Sequence, residues 1–244
     1  MMGGRIVKKD ETMGVMQLFD AESSTYTYLL WDKDTKDAIL VDPVDTQVDR
    51  DIDEATKLNL SLVYGVNTHA HADHITGTHL LKQKISGLKS VIAESSGAKA
   101  DLHVVAGDRI FFGSRFLSVR STPGHTKGCT SYVADDESFV LTGDTLLIGG
   151  CGRTDFQGGS ASTLFDSVQS QLFSLPPTTI VYPAHDYKGR TSSTIEKELD
   201  SNPRLGKGKT KKEFIEIMSN LNLAYPKKID VAVPANMRCG VPDP

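Results

Sequence analysis

The stretch NTHAHADHITGTH, residues 67–79, places His69, His71, Asp73 and His74 within six positions, with His79 just beyond. The chain has 7 histidines in all, so most of its imidazoles are gathered in this window. Crowded imidazoles repel one another when charged, and a divalent ion that shares their lone pairs removes the conflict. A metal centre is the chemistry these residue types and spacings point to.

Three more groups of the same kind lie downstream. LVYGVNTH ends at His69, FLSVRSTPGH at His125, SFVLTGD at Asp144 and TIVYPAH at His185. Each segment reads as an apolar strand that delivers a ligand-type side chain at or just past its C-terminal end. Strand ends hold side chains rigidly, and crevices there are where sheets place their sites.

The elements that must position these groups can be read in outline. TYTYLLW (25–31) alternates as a strand, and AILVDP (38–43) reads as a buried strand closed by Pro43. DRDIDEATKLNL (49–60) has helical spacing, and a helix is expected from Ala72 to Lys84 with Leu80 and Leu81 inward. SVIAE is a strand, IFFGSRFLSVR a hairpin, and CTSYVADDESFVLTGD two strands around an acidic turn. ASTLFDSVQSQLFSL (161–175) carries Leu164, Val168, Leu172 and Leu175 on one stripe, and TTIVYPAHD reads as the last strand before a helix at KKEFIEIMSNLNL. Two sheets meeting by their inner faces, with helices on the outer ones, make a four-layered α/β sandwich.

Composition excludes several classes. Hydrophobic residues are 39% and charged ones 24% of 244, as in an ordinary globular chain. A net charge of -4 gives no field that would gather nucleic acid or an anionic membrane, and the basic run GKGKTKK reads as a solvated loop. No apolar run reaches membrane-spanning length, and MMGGRIVKKDETMGVMQLF lacks the apolar core of a secretory signal. Cys129, Cys151 and Cys239 form no CxxC pair, so a reducing, intracellular compartment is expected. Cys151, between glycines in GGCGR, reads as a small buried filler, and His79 and His103 as ordinary histidines.

THAHADH fits the H-x-H-x-D-H signature of the metallo-β-lactamase fold superfamily, and TPGHT, TGDT and YPAHD match its later ligand motifs in order. Within it, GDTLLIGGCGRTDFQGG and NLNLAYPKKIDVAVPANMRCG resemble the persulfide dioxygenase family. The resemblance implies a single domain over 1–244, with a catalytic core at about 15–190 and a family-like extension over 191–244. The superfamily implies up to two metals: one on His69, His71, His125 and Asp144, the other on Asp73, His74, His185 and a bridging Asp144. Persulfide dioxygenases bind one Fe(2+) through the residues matching His69, His125 and Asp144. Two histidines and a carboxylate with open positions are the ligand set of non-haem iron oxygenases. His71, Asp73, His74 and His185 would then hold a second metal or orient the first set by hydrogen bonds.

The activity so implied is oxidation of glutathione persulfide by O2 and water to sulfite and glutathione. The alternative is a glyoxalase II-type hydroxyacylglutathione hydrolase with two metals, which shares the fold and ligand motifs. A non-catalytic metal-binding module is a third, disfavoured reading. For the tripeptide, Arg153 is the candidate carboxylate grip, against a structural role tying its loop to Asp155 or to carbonyls. Tyr28 and Tyr187 are candidates for the pocket rim. The family places such enzymes in the mitochondrial matrix of eukaryotes, otherwise the cytoplasm, with no nucleic-acid or membrane partner. A homodimer stays open.

Overall fold

The structure, a computed structural model, describes residues 13–242, so the leader reading of the first twelve residues lies outside the described residues. Six strands form one mixed sheet in sequential order: β1 (Met13–Asp20), β2 (Thr25–Asp32), β3 (Asp37–Val41), β4 (Ser61–Val66), β5 (Lys89–Ala93) and β6 (Leu102–Val104). β1 to β3 run antiparallel and β3 to β6 parallel. The second sheet holds β7 (Arg109–Phe112), β8 (Arg115–Ser121), β9 (Thr130–Ala134), β10 (Phe139–Gly143), β11 (Ile180–Pro183) and the short β12 (Ser193–Thr194). Only its β10–β11 pair is parallel.

Alternation along each strand explains the layers. In β3, Ile39 and Val41 enter the core between the sheets, while Ala38 and Leu40 face helices α1 (Val48–Lys57) and α2 (Thr78–Lys84). In β10, Phe139 and Leu141 face inward and Val140 packs on α3 (Ala161–Ser167) and α5 (Lys211–Ser219). The expected four-layered αββα sandwich is present. Among the described residues no helix is long and apolar enough to cross a membrane.

Several expectations shift in detail. TYTYLLW does not alternate between buried and exposed, because helices cover the outer face of β2: Tyr26, Tyr28 and Leu30 point between the sheets and Leu29 toward α1 and α2. The helix expected from Ala72 begins only at Thr78, since the preceding residues form the ligand loop and give their backbone groups to other partners. The 161–175 stripe is buried as expected, with α3 running into a π-helical turn over Val168–Leu172. YPAHD does not end the last strand, because β12 pairs beyond it. Helices α4 (Ile195–Ser201) and α6 (Ile229–Asn236) and strands β1 and β6 were not anticipated.

Candidate metal centre

The strand-end pattern converges as the sequence suggests. His69 follows β4, His125 follows β8, Asp144 directly follows β10, and His185 follows β11. The ligand atoms of His69, His125 and Asp144 lie within 4.8 Å of one another, as do those of His71, Asp73, His74 and His185. Asp144 joins the two groups: Oδ2 is 3.5 Å from His125 Nε2 and Oδ1 is 2.6 Å from His185 Nδ1. His71 falls in the second of these groups, although its ring lies as near to that of His69. It sits between the clusters, with its ring centre 4.0 Å from that of His69 and 4.4 Å from that of His74.

Local backbone choices make this convergence possible. Gly143 adopts φ +53°, and a Cβ there would stand 2.8 Å from Thr68 Oγ1. Only glycine lets β10 turn Asp144 into the site while packing against the loop after β4. Asp42, after β3, holds a left-handed φ of 52° with a side chain. Its carboxylate accepts from the Thr68 backbone N–H at 2.7 Å and from the Thr68 hydroxyl at 2.8 Å. That hydroxyl has one proton, which goes to Asp42, so at 3.0 Å it accepts from Nδ1–H of His69. His69 is thereby left with Nε2 as its free lone pair.

His125 is set in the same way. Its Nδ1–H donates to the Arg153 carbonyl at 2.6 Å, leaving Nε2 toward Asp144. Such outer partners fix the tautomer and the direction of a ligating imidazole. His185 donates from Nδ1 to Asp144 and from Nε2 to Asp73 at 3.0 Å. Thr25 Oγ1 lies 3.1 Å from His185 and 3.3 Å from His74, tying β2 to both.

Electrostatics follow from this wiring. Burial, helped by neighbouring His71 and His125, pushes the His69 pKa well below the usual histidine range, which keeps a lone pair available. Burial also disfavours a charged His185, but Asp144 and Asp73 on its two sides outweigh it and raise that pKa. Burial works against an ionised Asp144 as well, yet the His185 charge and hydrogen bond hold its carboxyl well below the usual range.

The residues present fit a metal. His71 Nδ1 and His74 Nε2 are buried and make no hydrogen bond, while His71 Nε2 faces Asp42 Oδ1 at 3.0 Å. Buried nitrogens without partners are costly, and a bound ion supplies what they lack. Imidazole and carboxylate donors suit a transition ion rather than a hard cation held by oxygen alone.

Asp73, His125, Asp144 and His185 floor a cavity of about 630 Å³ whose mouth includes Arg153, Tyr187, Lys188 and Lys227. Tyr187 is exposed, its ring stacked on that of His185 at 6.2 Å. Arg153 forms a two-point pair with Asp155 at 2.7 Å, donates to the Ala224 carbonyl at 2.7 Å and lies over the Phe156 ring. Those are the contacts of a residue that ties its loop. Tyr28 is not at the rim: it is 1% exposed in the inter-sheet core, and its hydroxyl donates to the Pro183 carbonyl at 2.6 Å. Its neighbour in the strand pattern, not the pocket, sets where it points.

Among the other candidates, Cys151 is buried beside Met218 with its thiol pushed by burial up to about 11, and Cys129 is buried with its thiol pushed up to about 12. His79 pairs with Gln83 on α2 and His103 with the Ala98 carbonyl, away from the site. Thr25, Asp42, Thr68 and Asn236 were missed. Asp42 alone carried a signal, an acid closing an apolar strand in ILVDP just as Asp144 closes SFVLTGD.

A sandwich of two mixed sheets with paired histidine and aspartate clusters at the strand ends defines a metal-dependent enzyme class. The profile of the metallo-beta-lactamase superfamily matches residues 21–185. The chain is 51% identical over 247 residues to the mitochondrial persulfide dioxygenase ETHE1 of Mus musculus, covering 100% of this chain and 96% of that one. With the corresponding protein of Homo sapiens it shares 53% over 228 residues, 93% of this chain and 89% of the relative. The crystal structure of ETHE1 from Myxococcus xanthus superposes with a TM-score of 0.90 at 50% identity, covering 93% of this chain and 99% of that one. The chain belongs to the metallo-beta-lactamase superfamily and, within it, to the persulfide dioxygenases.

Proposed function

We propose that the chain holds one ferrous ion through His69, His125 and Asp144 and oxidises glutathione persulfide with O2 and water to sulfite and glutathione. The observation that carries the choice of reaction is the match to persulfide dioxygenases over the whole chain at 51% identity. Ferrous iron supplies the one-electron chemistry that ground-state O2 requires of a partner. The chain's own residues do the rest. Asp42 and Thr68 aim His69, the Arg153 carbonyl aims His125, and His185 holds the Asp144 carboxylate from its far side. The cavity admits a tripeptide-sized ligand, with Tyr187, Lys188 and Lys227 at its mouth to meet the substrate carboxylates. Arg153 contributes positive charge there while its donors stay engaged with Asp155 and Ala224.

Glutathione persulfide should drive oxygen uptake with sulfite as product, and metal analysis should return about one iron per chain. Lactoylglutathione should be hydrolysed poorly. A second reading, a dinuclear thioester hydrolase, draws on the complete second cluster of His71, Asp73, His74 and His185. Two zinc ions per chain at full activity, with anaerobic thioester turnover the faster reaction, would establish that reading instead.

A further inference from the structure

The extension beyond the superfamily core ends in α6, whose sequence IDVAVPAN carries a proline and no helical stripe. Its last residue, Asn236, is 3% exposed. The amide nitrogen of Asn236 donates to the carbonyls of His71 at 2.8 Å and His74 at 2.9 Å, and its oxygen accepts from the Thr76 N–H at 2.8 Å. One side chain thus satisfies three backbone groups of the loop that carries His71, Asp73 and His74. Neither carbonyl receives a backbone N–H among the described residues.

A carboxamide is suited to this post because it offers two N–H donors and an acceptor in one plane. Serine has one donor, and aspartate would set a negative charge against two carbonyl oxygens. The helix is anchored independently, by buried Ile229, Ala232 and Ala235 and by a hydrogen bond from Lys99 N–H to the Met237 carbonyl at 2.9 Å. Close behind it, Gly240 at φ +85° packs so tightly that a Cβ would lie 2.4 Å from the Thr76 carbonyl oxygen. The C-terminal segment therefore grips the loop at two points.

We propose that Asn236 is a positioning residue that holds the His71–His74 loop at the spacing its side chains need around a metal. The effect reaches the His69, His125 and Asp144 group through a continuous path. The loop places Asp73, Asp73 accepts from His185, and His185 holds Asp144. The extension that distinguishes the chain from the bare superfamily core is then part of the metal centre's support, though it contributes no ligand. The proposal rests on the reading of these side chains as metal holders.

The test compares Asn236→Ala and Asn236→Asp with Ala232→Gly, a change at a buried position of the same helix that makes none of these bonds. Three readings are taken on the full chain: ferrous-iron affinity by chelator competition, the visible spectrum of the cobalt(II)-substituted protein, and the melting temperature without metal. Both Asn236 variants should bind iron roughly tenfold or more weakly, in the range seen when outer-shell partners are removed. Their cobalt spectra should shift, whereas Ala232→Gly should lower the melting temperature and leave affinity and spectrum as in the wild type. Unchanged affinity and spectrum in the Asn236 variants would overturn the proposal. So would an equal loss of affinity in Ala232→Gly, or failure of both Asn236 variants to fold. Wild-type protein that takes up neither metal would instead overturn the underlying reading.

Discussion

The Nδ1–H of His125 points at the carbonyl oxygen of Arg153, 2.6 Å away, so a loop residue decides which imidazole nitrogen faces Asp144. The Arg153 side chain in turn fixes where that carbonyl sits, through Asp155 and the Ala224 carbonyl. Arg153→Lys loses the two-point pair, because an ammonium cannot match the planar fork. We expect iron content and turnover to fall together, with the apparent KM for glutathione persulfide changing less than kcat. A selective rise in KM at full iron loading would show that the side chain grips the substrate directly.

The Thr68 hydroxyl relays His69 to Asp42. Thr68→Val keeps the shape and removes the relay, leaving Asp42 short of one donor and His69 Nδ1–H without an acceptor. Iron affinity should drop by about 10–100-fold. A titration against a ferrous chelator measures it, and affinity within about twofold of wild type would remove Thr68 from the support of the centre.

Among the described residues, Asp144 is the single carboxylate that touches both clusters. Asp144→Ala should abolish metal binding and oxygen uptake while far-ultraviolet circular dichroism stays that of the wild type, since the inter-sheet core does not use this side chain. Chelator-treated wild-type protein should behave alike and regain activity with ferrous iron. Recovery with zinc alone would contradict the oxygenase reading.

A pH effect arises at Asp51 on α1. Its side chain is fully buried, Oδ2 has no hydrogen bond, and burial pushes the carboxyl up to about 6 against the pull of Arg50. Between the ordinary carboxylate range and that value, the folded chain keeps a proton that the unfolded chain releases. Stability therefore falls as pH rises through this window, and the penalty is complete above it. Asp51→Asn, which keeps an acceptor for Arg50, should stabilise by about 3 kcal/mol at pH 8. The gain should vanish near pH 4, as thermal melts across that range will show.

The layers and the ligand set were legible because both depend on local pattern. Val66, Val140 and Val181 sit in apolar runs too short for helices, and a histidine or aspartate after such a run has few other reasons to be there. What sequence spacing could not convey was direction and partner. The alternation of TYTYLLW says that Tyr28 and Leu29 face opposite ways, not which face meets water, and here neither does. Helix α6 escaped notice because its residues are apolar without a stripe and include Pro234. The grouping of His71 depends on packing between His69 and His74, to which a shared motif is blind.

The bonds from Asn236 to His71 and His74 span 165 and 162 residues, which orders events during synthesis. The ligand loop leaves the ribosome well before its clamp, by roughly 10–30 s at ordinary rates of elongation. Through that interval the histidines are present but the loop lacks the partner that fixes its carbonyls. A ribosome-bound chain stopped short of α6 should hold iron less firmly than the released protein. On the proposed reading, firm metal binding then waits for α6, which keeps the ion off a chain whose loop is still unclamped.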